Sequence, residues 1–244
     1  MEYKAYSFDL DDNLLTLPTK VTLANNQGEK KKYSTKNFEK IRTHLTKNNL
    51  KITKESFKNF RDDKEFFKDL KKSKKAGSWK YLLDCIFEKG SIFAIITARG
   101  HSKETLRMGL KEKILEDISK EKLKNFVSLF KQKFKDNIKN KTPEEVFDIY
   151  LNYCKFYPCT NDLILNKYGK DKTISEIKVA AFKDFRKYIK KYLKENFNES
   201  VELQIGFSDD STAHLSSIAN SILKDYGFFF FQTKKSGISE FISS

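Results

Sequence analysis

A chain of 244 residues with 39% hydrophobic and 14% aromatic side chains carries enough apolar mass for a sizeable core, which excludes an intrinsically disordered chain. Three cysteines, odd in number and without metal-ligand spacing, exclude a disulfide scaffold and suit reduced thiols. The formal net charge is +15, no apolar run approaches the roughly 20 residues that cross a bilayer, and no basic-then-apolar leader precedes the first strand, so a soluble, cytoplasmic protein without a membrane partner is expected.

The first strand opens almost at once. Ala5, Tyr6 and Phe8 form an apolar run that discharges into Asp9-Leu10-Asp11-Asp12-Asn13-Leu14. In an extended segment residues two apart share a side, so Asp9 and Asp11 are expected to present two carboxylates to one small volume at a strand's carboxyl end. Like charges so placed need a cation or a proton to coexist. Lys20 to Ala24, a turn at Asn25-Asn26-Gln27-Gly28, and Lys31 to Thr35 then read as a β-hairpin. Ser34 or Thr35 caps a helix over Asn37 to Leu45. Helices follow over Lys64 to Lys72 and Trp79 to Glu88, the latter as a crossover into the apolar strand Ile92 to Thr97.

Between 104 and 173 the signals are helical. Leu106, Leu110, Ile114, Leu115 and Ile118 recur at helical spacing, and Thr142-Pro143-Glu144-Glu145 reads as a helix start. A further helical run, Ile177 to Phe185, carries Lys178 and Lys183. Val201 to Asp210 repeats the design of the first strand: an apolar segment, Gly206, then the paired carboxylates Asp209 and Asp210. A helix over Ala213 to Asp225 is stopped by Gly227, and Phe228 to Phe231 reads as a strand buried on both faces. Three apolar strands that each deliver polar groups at their carboxyl ends suit an α/β fold with a parallel sheet and a ligand bound across its edge.

Together these segments resemble the haloacid dehalogenase (HAD) superfamily of phosphotransferases, whose first motif is an apolar strand ending D-x-D-x-[TV]-[LVI]. Asn13 departs from that pattern, standing where threonine or valine is usual. The resemblance implies that Asp9 is the nucleophile that becomes an aspartyl phosphate and that Asp11 is the general acid and base. It implies further that Thr97 and Lys178 bind the transferred phosphoryl group, with Lys183 as second choice for the lysine. Asp9, Asp11, Asp209 and Asp210 would then hold Mg²⁺. The residue types fit this chemistry on their own account, because a carboxylate attacks a dianionic phosphate ester poorly until a cation neutralises its approach, and Mg²⁺ prefers oxygen ligands.

Along the chain, the expected architecture is a Rossmann-like, HAD-like core of residues 1–17, 81–103 and 174–244. A β-hairpin flap with a first basic insertion occupies 18–80, and a second helical insertion, the cap, occupies 104–173. Residues 20–80 hold 19 Lys and Arg against 7 Asp and Glu, and residues 102–200 hold 23 against 15, so the insertions are basic. The expected function is a Mg²⁺-dependent phosphohydrolase acting on a phosphorylated small molecule. Two alternatives stand beside it: a 5′ or 3′ end phosphatase on nucleic acid, and a non-catalytic HAD-like module that binds through its basic insertions. Arg99 and His101 are candidates to meet a leaving group and His214 to abut the site, while His44 reads as a surface residue and Trp79 as a packing anchor.

Overall fold

The computed structural model describes residues 2–197, 201–222, 227–234 and 237–240. In chain order β1 (Glu2–Phe8) is followed by the short β2 (Leu15–Thr16), the hairpin β3 (Lys20–Asn25) and β4 (Lys30–Ser34), α1 (Thr35–Ile41) and β5 (Leu50–Lys51). Next come α2 (Asp63–Lys72), β6 (Lys74–Lys75), α3 (Trp79–Phe87), β7 (Phe93–Thr97), α4 (Lys103–Leu115), α5 (Lys120–Lys133) and α6 (Pro143–Tyr153). The remainder is β8 (Lys155–Pro158), α7 (Asp162–Tyr168), α8 (Ile174–Asn196), β9 (Glu202–Asp209), α9 (Thr212–Ile222), β10 (Phe228–Lys234) and β11 (Gly237–Glu240). The expected continuation of the last helix to Asp225 falls outside the described residues.

Six strands form one sheet in the order β11-β10-β9-β1-β7-β8, parallel throughout except for the edge pair of β10 and β11. The fold is therefore Rossmann-like α/β, as the strand signals predicted. From β1 the chain steps outward through β7 to β8, then returns across β1 to build β9 and β10 on its other side. Such a reversal opens a crevice at the carboxyl ends of the two strands that flank it, here β1 and β9.

Helix starts follow from local chemistry. Ser34 caps α1 by accepting the Asn37 N–H, and Asp62 caps α2 by accepting that of Glu65. Capping boxes open α6 with Thr142 and Glu145 and α8 with Thr173 and Glu176. The start of α8 sets its rotation, turning Ile177, Lys178, Ala181, Phe182 and Phe185 inward and leaving Lys183 exposed. Phe182 packs against Phe207 of β9 and Phe228 of β10 at ring-centroid distances of 5.9 and 5.8 Å.

Two expectations are corrected. Residues 104–173 are not a helical cap standing apart from the core: they supply β8 to the central sheet, and Phe126, Phe147 and Tyr150 of α5 and α6 pack with Phe87 and Phe93 in the main core. Four residues ending in proline are too short a strand to show a period. Nor is the phenylalanine run buried on both faces, since Phe229 remains 40% exposed. Phe228 and Phe230 meet Phe182, whereas Phe229 and Phe231 turn to the opposite face beside Tyr6 and line a shallow groove.

The first insertion does form the expected hairpin. β3 pairs with β4 and β5 in a small sheet of its own, over a cluster of Val21, Leu23 and Phe60 that is separate from the main core. α2 and α3 return to the main core through Phe66, Leu70, Trp79 and Leu82. Among the described residues no helix is long and apolar enough to cross a membrane, and Cys85, Cys154 and Cys159 are buried free thiols.

Gly227 is the position where the backbone leaves no room for a side chain. Its φ is +89°, a Cβ there would lie 2.6 Å from the Leu203 carbonyl oxygen, and its own carbonyl accepts the Ile205 N–H at 2.8 Å. Gly227→Ala should therefore cost about 2 kcal/mol through left-handed strain and overpacking. A urea melt checks this, and an unchanged midpoint would refute it.

Candidate active site

The crevice at the ends of β1 and β9 gathers the acidic motifs. Asp9 follows β1 directly, and its N–H donates to the Ser208 carbonyl at 2.9 Å, locking the two strand ends together. Asn13 completes the lock: its amide donates to the Asp9 carbonyl (2.9 Å), the Ser208 carbonyl (3.1 Å) and Ser208 Oγ (3.0 Å), while its Oδ1 accepts from Ser78 and Thr233. A threonine or valine there has no amide to donate, which gives the departure at Asn13 a physical role. Asp12 makes the turn with φ +55° and accepts the Thr35 hydroxyl at 2.6 Å, tying the loop to the start of α1.

Lys178 lies at the centre, 1% exposed. Its ammonium donates to Asp9 Oδ1 and to Asp209 Oδ2, each at 2.7 Å, and His214 Nδ1 lies 3.0 Å from the ammonium and 3.2 Å from Asp209 Oδ2. The Asp209 Oδ1 accepts the Ser211 N–H at 2.9 Å. Asp9, Asp209 and Asp210 can each bring one oxygen within 4.8 Å of the others. Three carboxylates facing one ammonium carry surplus negative charge. Burial, together with repulsion from Asp209, Asp210 and Asp11, pushes Asp9 well above the usual carboxylate range despite Lys178. Burial and repulsion from Asp209 push Asp210 up to about 8. At Asp209 burial acts the same way, but Lys178 and His214 outweigh it and hold the carboxyl low. Oxygen-only donors with an unbalanced charge are a set that fits a hard divalent cation such as Mg²⁺.

Asp11 does not join this group, contrary to its expected place among the metal ligands. Asp11 lies three residues beyond the end of β1, in an isolated bridge to Leu15, and its carboxylate turns to Arg99 instead. Arg99 Nε and Nη2 grip the two Asp11 oxygens at 2.8 and 2.7 Å, a bidentate pair. Arg99 has no exposed surface: its guanidinium lies 4.9 Å from the Phe60 ring centre and 5.4 Å from that of Phe66, and it donates to Thr19, which donates in turn to Asp69. His101 is buried beside it, with Nε2 3.3 Å from Arg99 Nη1 and Nδ1 3.1 Å from Asp63. Burial and the Arg99 charge hold His101 down to about 4, so the neutral ring accepts from Arg99 and donates to Asp63. Arg99 and His101 are thus internal supports rather than leaving-group contacts.

Above the carboxylates lies a cavity of about 240 Å³. Asp9, Asp11, Asp210 and Lys178 line its floor, and Val21, Phe38, Phe57, Phe60 and Ile174 line its sides beneath the hairpin. Thr97 is fully buried, with its Oγ1 accepting the Arg99 N–H at 3.3 Å, and Ala98 lines the cavity in its stead. His214 does abut the site. His44 is exposed, and the Trp79 indole N–H, in a buried ring, donates to Asp117 at 2.7 Å. The phenylalanines of the wall lack any motif in the sequence; only their apolar character in a lysine-rich insertion marks them. No protein-family model, curated protein or solved structure matches the chain.

The crowding has a pH signature. Asp210 holds a proton in the folded state up to about 8, whereas its ordinary value is 3.8. Between those limits the folded chain binds a proton that the unfolded chain releases, so this group's contribution to stability falls as pH rises. Asp210→Asn removes that loss. In chelator, the variant should melt several degrees above the wild type at pH 8, with the gap closing near pH 4; a pH-independent gap would sink the assignment.

Proposed function

We propose that this protein is a Mg²⁺-dependent phosphohydrolase of the HAD type, cleaving a phosphate monoester through an aspartyl phosphate on Asp9. The observation that carries the reading is the set of Asp9, Asp209 and Asp210 at the ends of adjacent parallel strands, joined by Lys178 from α8 on the floor of a cavity. Asp9 has one oxygen engaged by Lys178 and the other available to attack phosphorus. As its bond to phosphorus forms, the ester bond breaks and the leaving oxygen takes a proton from Asp11. In the second half Asp11 takes a proton from water, which attacks the phosphorus and frees Asp9 and inorganic phosphate. Bound at Asp9, Asp209 and Asp210, Mg²⁺ would neutralise charge on the phosphoryl oxygens. Lys178 adds positive charge on the same side and keeps Asp9 and Asp209 in place.

Asp11 lines the cavity with both oxygens held by Arg99, so that pair must open and Asp11 take up a proton from solvent before it can protonate the leaving oxygen. The same pair favours a second reading, a binding module in which Asp11 is only structural. Turnover separates the two. With an aryl phosphate and Mg²⁺, the wild type should hydrolyse the ester and lose activity in chelator, and Asp9→Asn should abolish turnover without lowering the melting temperature. Asp11→Asn should slow the chemical step by roughly 10² to 10⁴, less for good leaving groups. Activity that survives Asp9→Asn would remove the covalent mechanism.

A further inference from the structure

Resting on that reading, we infer that the substrate is a small phosphate monoester whose leaving group is a flat aromatic ring, received between Phe38, Phe57 and Ile174 beneath the hairpin. At about 240 Å³ the cavity is small for a ligand site, with room for a phosphate and a single ring. Its floor is charged and its walls are mainly apolar. Of the wall residues, Phe60 is already committed, nearly buried and stacked against Arg99. Phe38 and Phe57 are only partly buried and meet edge to face at a ring-centroid distance of 5.4 Å, forming an aromatic corner. Ile174, the first residue of α8, is 38% exposed at the mouth.

Apolar surface kept beside ionised carboxylates calls for an apolar partner. A sugar ring pressed against Phe38, Phe57 and Ile174 would set hydroxyls against apolar faces, a costly arrangement. Of the cations on the wall, Arg42 is paired with Glu39 at 2.9 Å and Arg61 with Asp162 at 3.7 Å, so the exposed Lys36 is the wall cation left without an ion pair among the described residues, too little charge to order a polyanionic body. An aromatic ring gains from both burial and edge-to-face geometry, and it places its ester oxygen toward Asp9 and Asp11.

The test uses ligands that need no turnover. Calorimetry in Mg²⁺ should find phenylphosphonate bound about tenfold more tightly than methylphosphonate. Phe57→Leu should reduce that preference to about threefold or less. Ile174→Ser, at a partly exposed position that spares the hairpin cluster, should weaken phenylphosphonate alone. Equal affinities, or a preference untouched in both variants, would overturn the inference, as would tighter binding of a sugar phosphate or of a 5′-phosphorylated oligonucleotide with steep salt dependence. Hydrolysis of acetyl phosphate, which has no ring, reports on the phosphatase reading separately. Turnover without a phenyl preference removes the aromatic slot alone, and a phenyl preference without turnover keeps the slot and removes the hydrolase.

Discussion

The buried ammonium of Lys178 is the contact on which the rest of the architecture depends. It joins the end of β1, the end of β9 and the first turn and a half of α8 through two hydrogen bonds of 2.7 Å, with no solvent to share the charge. Removing the ammonium itself would leave two buried carboxylates uncompensated, at a cost of about 3–5 kcal/mol, a large part of the stability of a typical domain. The carboxylates cannot relax elsewhere, because Asp9 is pinned through its backbone to Ser208 and Asn13. The capping box at Thr173 matters for the same reason: a helix that began one residue later would carry the lysine about 100° away from the carboxylates.

Arg99 is the second buried cation, and it is used differently. Lys178 is a compact charge shared among several oxygens, whereas the flat guanidinium of Arg99 lies between two phenyl rings and commits both ends of its fork to one carboxylate. Around it meet the root of the hairpin at Thr19, the segment before α2 at Phe60, and α2 through Asp63 and Asp69. The insertion is therefore fastened to the sheet at the place where Asp11 is held.

Much of this was legible in the residues alone. The strands with acidic ends, the hairpin with its turn at Asn25 to Gly28 and the cap at Thr142 all rest on short-range patterns of spacing and capping. What escaped was set by contacts between distant segments. Asp11 and Arg99 lie 88 positions apart, and no local rule turns a carboxylate away from its neighbour toward such a partner. β8 is too short to carry a period. Phe229 is exposed because helix cover falls on the other side of β10, which a run of four identical residues cannot reveal. The aromatic corner is assembled from α1 and a loop after β5, so its residues look like ordinary apolar positions until the insertion is folded.

The pairing of β1 with β9 also sets an order of events during synthesis. The Ser7 hydroxyl reaches the Gly206 carbonyl across 199 positions, and every residue of β1 aligns with a partner between Glu202 and Ser208. A chain emerging from the ribosome exposes one edge of β1, with Asp9 at its tip, until the segment from Glu202 to Ser208 has been made. Parallel pairing at that separation is slow and leaves an apolar edge open in the interim. The acidic crevice therefore cannot close until β9 has joined β1, and the nascent chain is prone to aggregate through the open edge until then.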